Sequence, residues 1–225
     1  IREFWTIYRG ATGDRMAGRI SAARDGYRRA LELNPQHEDA LYYLGNMELE
    51  LGRYAEAHSA WERLVQLNAA SARAHSRLGD LYACTDSGAP RDFAQAEAEF
   101  RRALELNREE SGPLLRLGQV ALMRGHLADA ISPLTAVIGS HSRSVEAHFL
   151  KGYVAWKQAQ PASAAALFRE AVALARSVQP IRAVPGEGDT KRGLTPALAQ
   201  TSRCRIFDAQ IESLSGVDSG TVSTR

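Results

Sequence analysis

The sequence predicts an all-α protein built as a stack of repeated helical hairpins, and two observations predict it. The first is a recurring pattern of a small residue, a large one four positions on, and an apolar one three positions after that. It reads Ala23/Tyr27/Ala30, Ala57/Trp61/Leu64, Ala96/Phe100/Ala103, Ala130/Leu134/Val137 and Ala164/Phe168/Ala171, at intervals of 34, 39, 34 and 34 residues. Steps of four and three put all three residues on one helical face. A fixed period in this range marks a repeat architecture. The second is a different helical pattern between the copies, such as ALYYLGNMELELGRY (40–54) and LLRLGQVALMRGHL (114–127), with glycine at one fixed place: Gly45, Gly79, Gly118 and Gly152.

Each element has a physical reason. Glycine costs helix propensity, so a recurrent glycine inside a helix serves close approach of a neighbour, whose large residue fills the space. A second glycine closes most of these helices, at Gly18, Gly52 and Gly125. There it supplies the left-handed residue that follows a helix end.

With five copies in hand, the chain resembles the tetratricopeptide repeat family, a 34-residue helix–turn–helix unit. The resemblance spans 4–178 as repeats 4–37, 38–71, 72–110, 111–144 and 145–178. Repeat 2 carries Leu44-Gly45, Gly52, Tyr54, Ala57 and Trp61 in family positions. Repeat 1 is weaker, with Gly10-Ala11 in place of the usual large–small pair. Repeat 3 carries five extra residues in its inner turn, around 85–90. Repeat 5 has Ala159 for the closing glycine and starts its second helix at Pro161, a position that tolerates proline. The resemblance implies a right-handed superhelical solenoid with the first helix of each repeat lining its concave face.

The pattern ends after 178. Residues 179–194, rich in Gly, Pro and charge, read as a linker. Residues 195–215 read as a helix opened by Thr195-Pro196, with Cys204, Phe207, Ile211 and Leu214 on one face. Open solenoid ends are apolar and need a cap, so this helix is expected to cap repeat 5. Residues 216–225 read as a disordered tail.

Composition removes several function classes. Lys+Arg is 28 against Asp+Glu at 26, which supports neither a polyanion-binding surface nor an acidic tail. No nucleic-acid partner is therefore expected. No run of about 18 apolar residues is present, so no membrane insertion is expected. No signal peptide is legible at the N-terminus, and compartment is left open. Arginine outnumbers lysine 25 to 3, which with abundant alanine suggests a GC-rich, bacterial genome. The chain opens on Ile1, which suggests a piece of something longer.

Nothing in the sequence reads as an active site. The histidines fall in expected turns (His37, His126, His141), on an exposed face (His58) and at an inter-helix packing position (His75, His148). Neither they nor the cysteines have metal-ligand spacing. GEGDTKRG (186–193) lacks P-loop spacing and a preceding strand. No serine sits in a nucleophile elbow. No cofactor, metal or catalytic residue is expected. Arg28-Arg29 and Arg101-Arg102 read as solvated faces, with Glu32 and Glu105 as i+4 partners of Arg28 and Arg101. Two cysteines are too few for a disulfide framework. Cys84 and Cys204 pair if the C-terminal helix enters the groove, and otherwise are free thiols.

The functional surface that the resemblance implies is the concave groove, where positions two, five, nine, twelve and thirteen of a repeat point inward. Mapped onto this sequence, these positions give a candidate partner-binding set of Tyr42, Asn46, Asp80, Leu115, Gln119, Leu122, Met123, Phe149, Tyr153 and Trp156. Repeats 2 and 3 are polar there, and repeats 4 and 5 apolar and aromatic. The lysine–asparagine–arginine clamp that some members use for chaperone C-termini is matched only at Asn46 and Arg116, while Tyr42, Arg77 and Gly112 depart from it. The apolar cluster has three readings: it receives a partner's peptide or helix, it is covered by 196–214, or it is packing between adjacent repeats. The expected function is a non-enzymatic protein–protein interaction scaffold, the alternative being an accessory module of a larger enzyme or secretion and assembly system, working in cis.

Overall fold

A computed structural model of the chain describes residues 1–178. Among these there are ten α-helices and no strand. In chain order they are α1 (Arg2–Met16), α2 (Ile20–Leu33), α3 (Glu38–Glu50), α4 (Tyr54–Leu67) and α5 (Ala72–Tyr82), followed by α6 (Phe93–Leu106), α7 (Ser111–Met123), α8 (Leu127–Ser140), α9 (Val145–Lys157) and α10 (Pro161–Val178). Each odd-numbered helix packs on the next as a hairpin, and each hairpin on the following one, making the all-α solenoid. The expected linker 179–194, capping helix 195–215 and tail 216–225 lie outside the described residues.

The recurrent glycines meet the large residues of the second pattern. A Cβ on Gly79 would lie 2.6 Å from Phe100, one on Gly118 2.7 Å from Leu134, and one on Gly152 2.8 Å from Phe168. On Gly45 it would enter the Trp61 ring. Trp61, Phe100 and Leu134 are fully buried there. Repeat 1 reverses the arrangement. Ala11 occupies the small position on α1, and the glycine sits on α2, where a Cβ on Gly26 would lie 2.7 Å from Ala11 Cβ.

Helix ends follow local chemistry. Gly18, Gly52 and Gly125 adopt φ of +72°, +72° and +76°, and Ala159 takes the same left-handed role at +57°. Asp92 caps α6 by accepting from the N–H groups of Ala94 and Gln95, each at 3.0 Å. Asn34, Asn68 and Asn107 end α2, α4 and α6, each turning its Oδ1 onto the N–H two residues on. The insertion in repeat 3 folds back on α4: Tyr54 Oη donates to Asp86 Oδ2 at 2.9 Å, and Ala89 packs on the cluster around Trp61.

Three expectations are corrected. Arg28 approaches Glu48 of α3 at 3.3 Å rather than Glu32. Arg101 pairs back to Glu97 at 2.5 Å, leaving Glu105 to Arg102 at 2.9 Å. Arg28 finds its partner on a neighbouring helix, and Arg101 takes the carboxylate one turn back in its own helix. His58 is half-buried, with Nε2 2.7 Å from Tyr82 Oη, because α4 faces the end of α5 at that point. Cys84, for which a disulfide and a free thiol both stood open, is buried among Leu49, Tyr54, Leu78 and Leu81 and is disulfide-bonded. Cys204 lies outside the described residues.

Candidate functional site

The first helices of successive repeats carry a continuous polar ladder. Asp39 on α3 pairs with Arg73 on α5, and the Arg73 guanidinium lies 4.7 Å from the Tyr42 ring centroid. Arg77 donates to Tyr42 Oη at 3.3 Å and to Asp80 Oδ2 at 3.3 Å. Asp80 also receives Arg116 Nε of α7 at 3.1 Å. Arg116 then donates to Gln119 Oε1 at 2.8 Å, and Gln119 donates to Glu146 of α9. Burial opposes the charge on Arg77, but Tyr42 and Asp80 outweigh it and hold its pKa up. Charge on the ladder is thus neutralised within the protein, and the chain of bonds ties four consecutive repeats in register.

This geometry sorts the sequence candidates. Tyr42 and Asp80 are half-buried members of the ladder, and Gln119 is completely buried in it at 0% exposure. Asn46 is half-buried, and among the described residues its Oδ1 has no hydrogen-bond donor. Arg116, one of the two clamp matches, is committed to Asp80 and Gln119. Leu115, Leu122 and Phe149 pack on the cluster of Leu134 and Leu150, and Met123 on that of Phe100. Those four are partly spent on inter-repeat packing. Trp156 is 56% exposed, with its ring centroid 6.0 Å from that of Tyr153. Lys157 Nζ lies 4.9 Å from the Trp156 centroid and 5.6 Å from that of Tyr153, within cation–π range.

Repeat 1 adds residues that the sequence mapping left out. Trp5 of α1 is 43% exposed and meets Phe4, Tyr8 and His37 at ring distances of 5.0, 5.9 and 5.7 Å. Burial, helped by Asp39, pushes the Tyr8 hydroxyl up to about 12. Trp5 and Tyr8 occupy positions two and five of repeat 1, so the same register carried one repeat further back would have found them. The first-helix face therefore has aromatic groups at both ends and a self-neutralised polar ladder between them.

Among the described residues no group of three His, Cys, Asp or Glu is placed to hold a metal ion, and no helix is long and apolar enough to cross a membrane.

The architecture is similar to that of several solved structures. A crystal structure of MamA superposes with a TM-score of 0.66 at 22% identity, over 74% of this chain and 95% of that one. MamA 41-end from Desulfovibrio magneticus RS-1 gives 0.69 at 16% identity, over 77% and 96%. YrrB, described as a TPR protein with an unusual peptide-binding site, gives 0.61 at 20% identity, over 76% and 86%. At these identities the likeness establishes the fold alone. A comparison with curated protein sequences gives no match. The tetratricopeptide repeat profile matches residues 10–57, 48–85, 89–134 and 115–178, and the chain belongs to the tetratricopeptide repeat family.

Proposed function

We propose that this chain is a non-enzymatic protein-interaction scaffold that holds a segment of a partner protein along its first-helix face. The observation that carries the reading is the Tyr153–Trp156–Lys157 group. Trp156 is more than half exposed beside a second aromatic and a cation, and aromatic residues of this kind are the usual anchors of protein interfaces. Phe149 continues the surface toward α7, and the ladder supplies a rigid, preformed floor. Preformed shape lowers the ordering cost of binding, so a few anchors suffice. The peptide-binding description of YrrB points the same way.

The test is selection of binding sequences from a random peptide display library on the 225-residue chain, followed by measurement of the selected peptides on variants. Trp156→Ala with Tyr153→Ala is expected to weaken them at least tenfold without lowering the melting temperature. Peptides that bind the double variant as tightly as the parent would place the interaction surface elsewhere.

A further inference from the structure

The seam between the start of one repeat's first helix and the end of its second is closed in repeat 2 and open in repeat 4. In repeat 2, Glu38 accepts from the terminal Asn68 at 3.0 Å, and Asp39 pairs with Arg73 of the next repeat. At the corresponding places repeat 4 has Ser111, Gly112 and His141, and repeat 5 has Glu146, which binds Gln119 instead. Both carboxylates are missing, and a Cβ on Gly112 would meet nothing within 4 Å. What remains is a pocket of about 500 Å³. Its floor is apolar, from Leu115 and Val137, and its polar wall consists of Arg143, His141 and four serines.

The chemistry of this wall has one sign. Among the described residues no Asp or Glu lines the pocket. Arg143 donates to Ser177 Oγ at 3.3 Å and makes no ion pair among the described residues. His141 Nδ1 lies 3.1 Å from Ser140 Oγ and also lacks a carboxylate partner there. Hydroxyls, an imidazole and a guanidinium around an apolar floor fit an oxyanion carried on an apolar stem, and a guanidinium can pair a carboxylate through two parallel N–H···O bonds. Leu115 belongs both to this floor and to the candidate groove, so the pocket adjoins the first-helix face.

We propose that this pocket binds a carboxylate, from a side chain or a C-terminus, of the protein segment that lies in the groove. The vacated carboxylate positions of repeat 4 are filled by the partner's own. The identity of the ligand as a partner segment rests on the scaffold reading above, whereas capture of a carboxylate does not.

The test uses the ¹⁵N-labelled 225-residue chain, with acetyl-Leu-Glu as probe, uncharged acetyl-Leu-Gln-amide as control, and sodium chloride at matched ionic strength. Saturable shifts of the Gly112, Ser142 and Arg143 amides are expected with the acidic peptide, and at least tenfold weaker binding with the amide. Arg143→Gln is expected to weaken the acidic peptide at least fivefold. Gly112→Asp restores the carboxylate of repeat 2 at a place with room for it, so it is expected to abolish binding with an unchanged melting temperature. Equal response to the two peptides, shifts reproduced by chloride, or binding that survives both substitutions each overturns the pocket. Tyr153→Ala with Trp156→Ala is expected to leave acetyl-Leu-Glu binding intact, so failure of the groove and failure of the pocket read out separately.

Discussion

Trp61 of α4 lies against the backbone of Gly45 in α3, so close that no side chain fits between them, and its Nε1 donates to the Tyr42 carbonyl at 3.3 Å. The pair fixes how near the two helices of repeat 2 approach. Gly45→Ala forces the rigid indole aside and is expected to cost about 2 kcal/mol, within the usual range for overpacking. The gain in helix propensity on leaving glycine, about 1 kcal/mol, is too small to offset it. Gly13→Ala in α1 isolates that gain, since a Cβ there meets nothing within 4 Å, and is expected to stabilise. Urea unfolding of both variants checks the opposite signs.

Ala159 closes α9 at φ +57°, where three sibling repeats have glycine. A left-handed alanine costs about 1–2 kcal/mol, and glycine's extra chain entropy takes back roughly half of that. Ala159→Gly is therefore expected to stabilise the chain by about 0.5 kcal/mol. A lower denaturation midpoint would show that the alanine methyl contributes packing of its own.

Asp92 is the sole side-chain cap of α6, with two backbone N–H groups on one oxygen. Asp92→Ala is expected to cost about 1 kcal/mol. Asp92→Asn, which keeps an acceptor oxygen, should recover most of the loss in the same unfolding assay.

Glu48 is 1% exposed, and among the described residues neither carboxylate oxygen makes a hydrogen bond, although Arg28 and Arg53 approach them at 3.3 and 3.9 Å. Burial raises its pKa above the usual carboxylate range, and the pull of Arg28, Arg24 and Arg53 only partly counters this. A carboxyl with a raised folded-state pKa favours the fold most when protonated. That contribution is complete below the unfolded-state value, about 4.3, and is lost as pH rises through the folded-state value. Glu48→Gln does not titrate, so its melting temperature should gain on the parent between pH 4 and 7. A difference that stays constant over that range would assign Glu48 a purely steric role.

The fold was legible because its signals are local and repeated. Gly45, Gly79, Gly118 and Gly152 recur at one place, their large partners at another, and each hairpin needs only its own residues to declare itself. The site was legible only in part. Sequence register selected Gln119 and Trp156 alike, yet the first is sealed inside the ladder and the second stands in solvent. Arg116 matches a clamp position in register, but Asp80, two helices earlier in the chain, takes its charge. The open seam of repeat 4 was not read at all, since an absent carboxylate at Gly112 matters only once Asp39 is seen closing the same seam in repeat 2.

By itself the sequence determined the helical hairpins, their period, the close approach at each small residue and the family, because these follow from spacing and side-chain size within about 34 residues. Only the tertiary structure decided which inward-facing groups are reachable. That choice depends on ion pairs and hydrogen bonds between successive repeats, such as Arg77–Asp80–Arg116–Gln119, where each rotamer is set by a neighbour that no local pattern identifies.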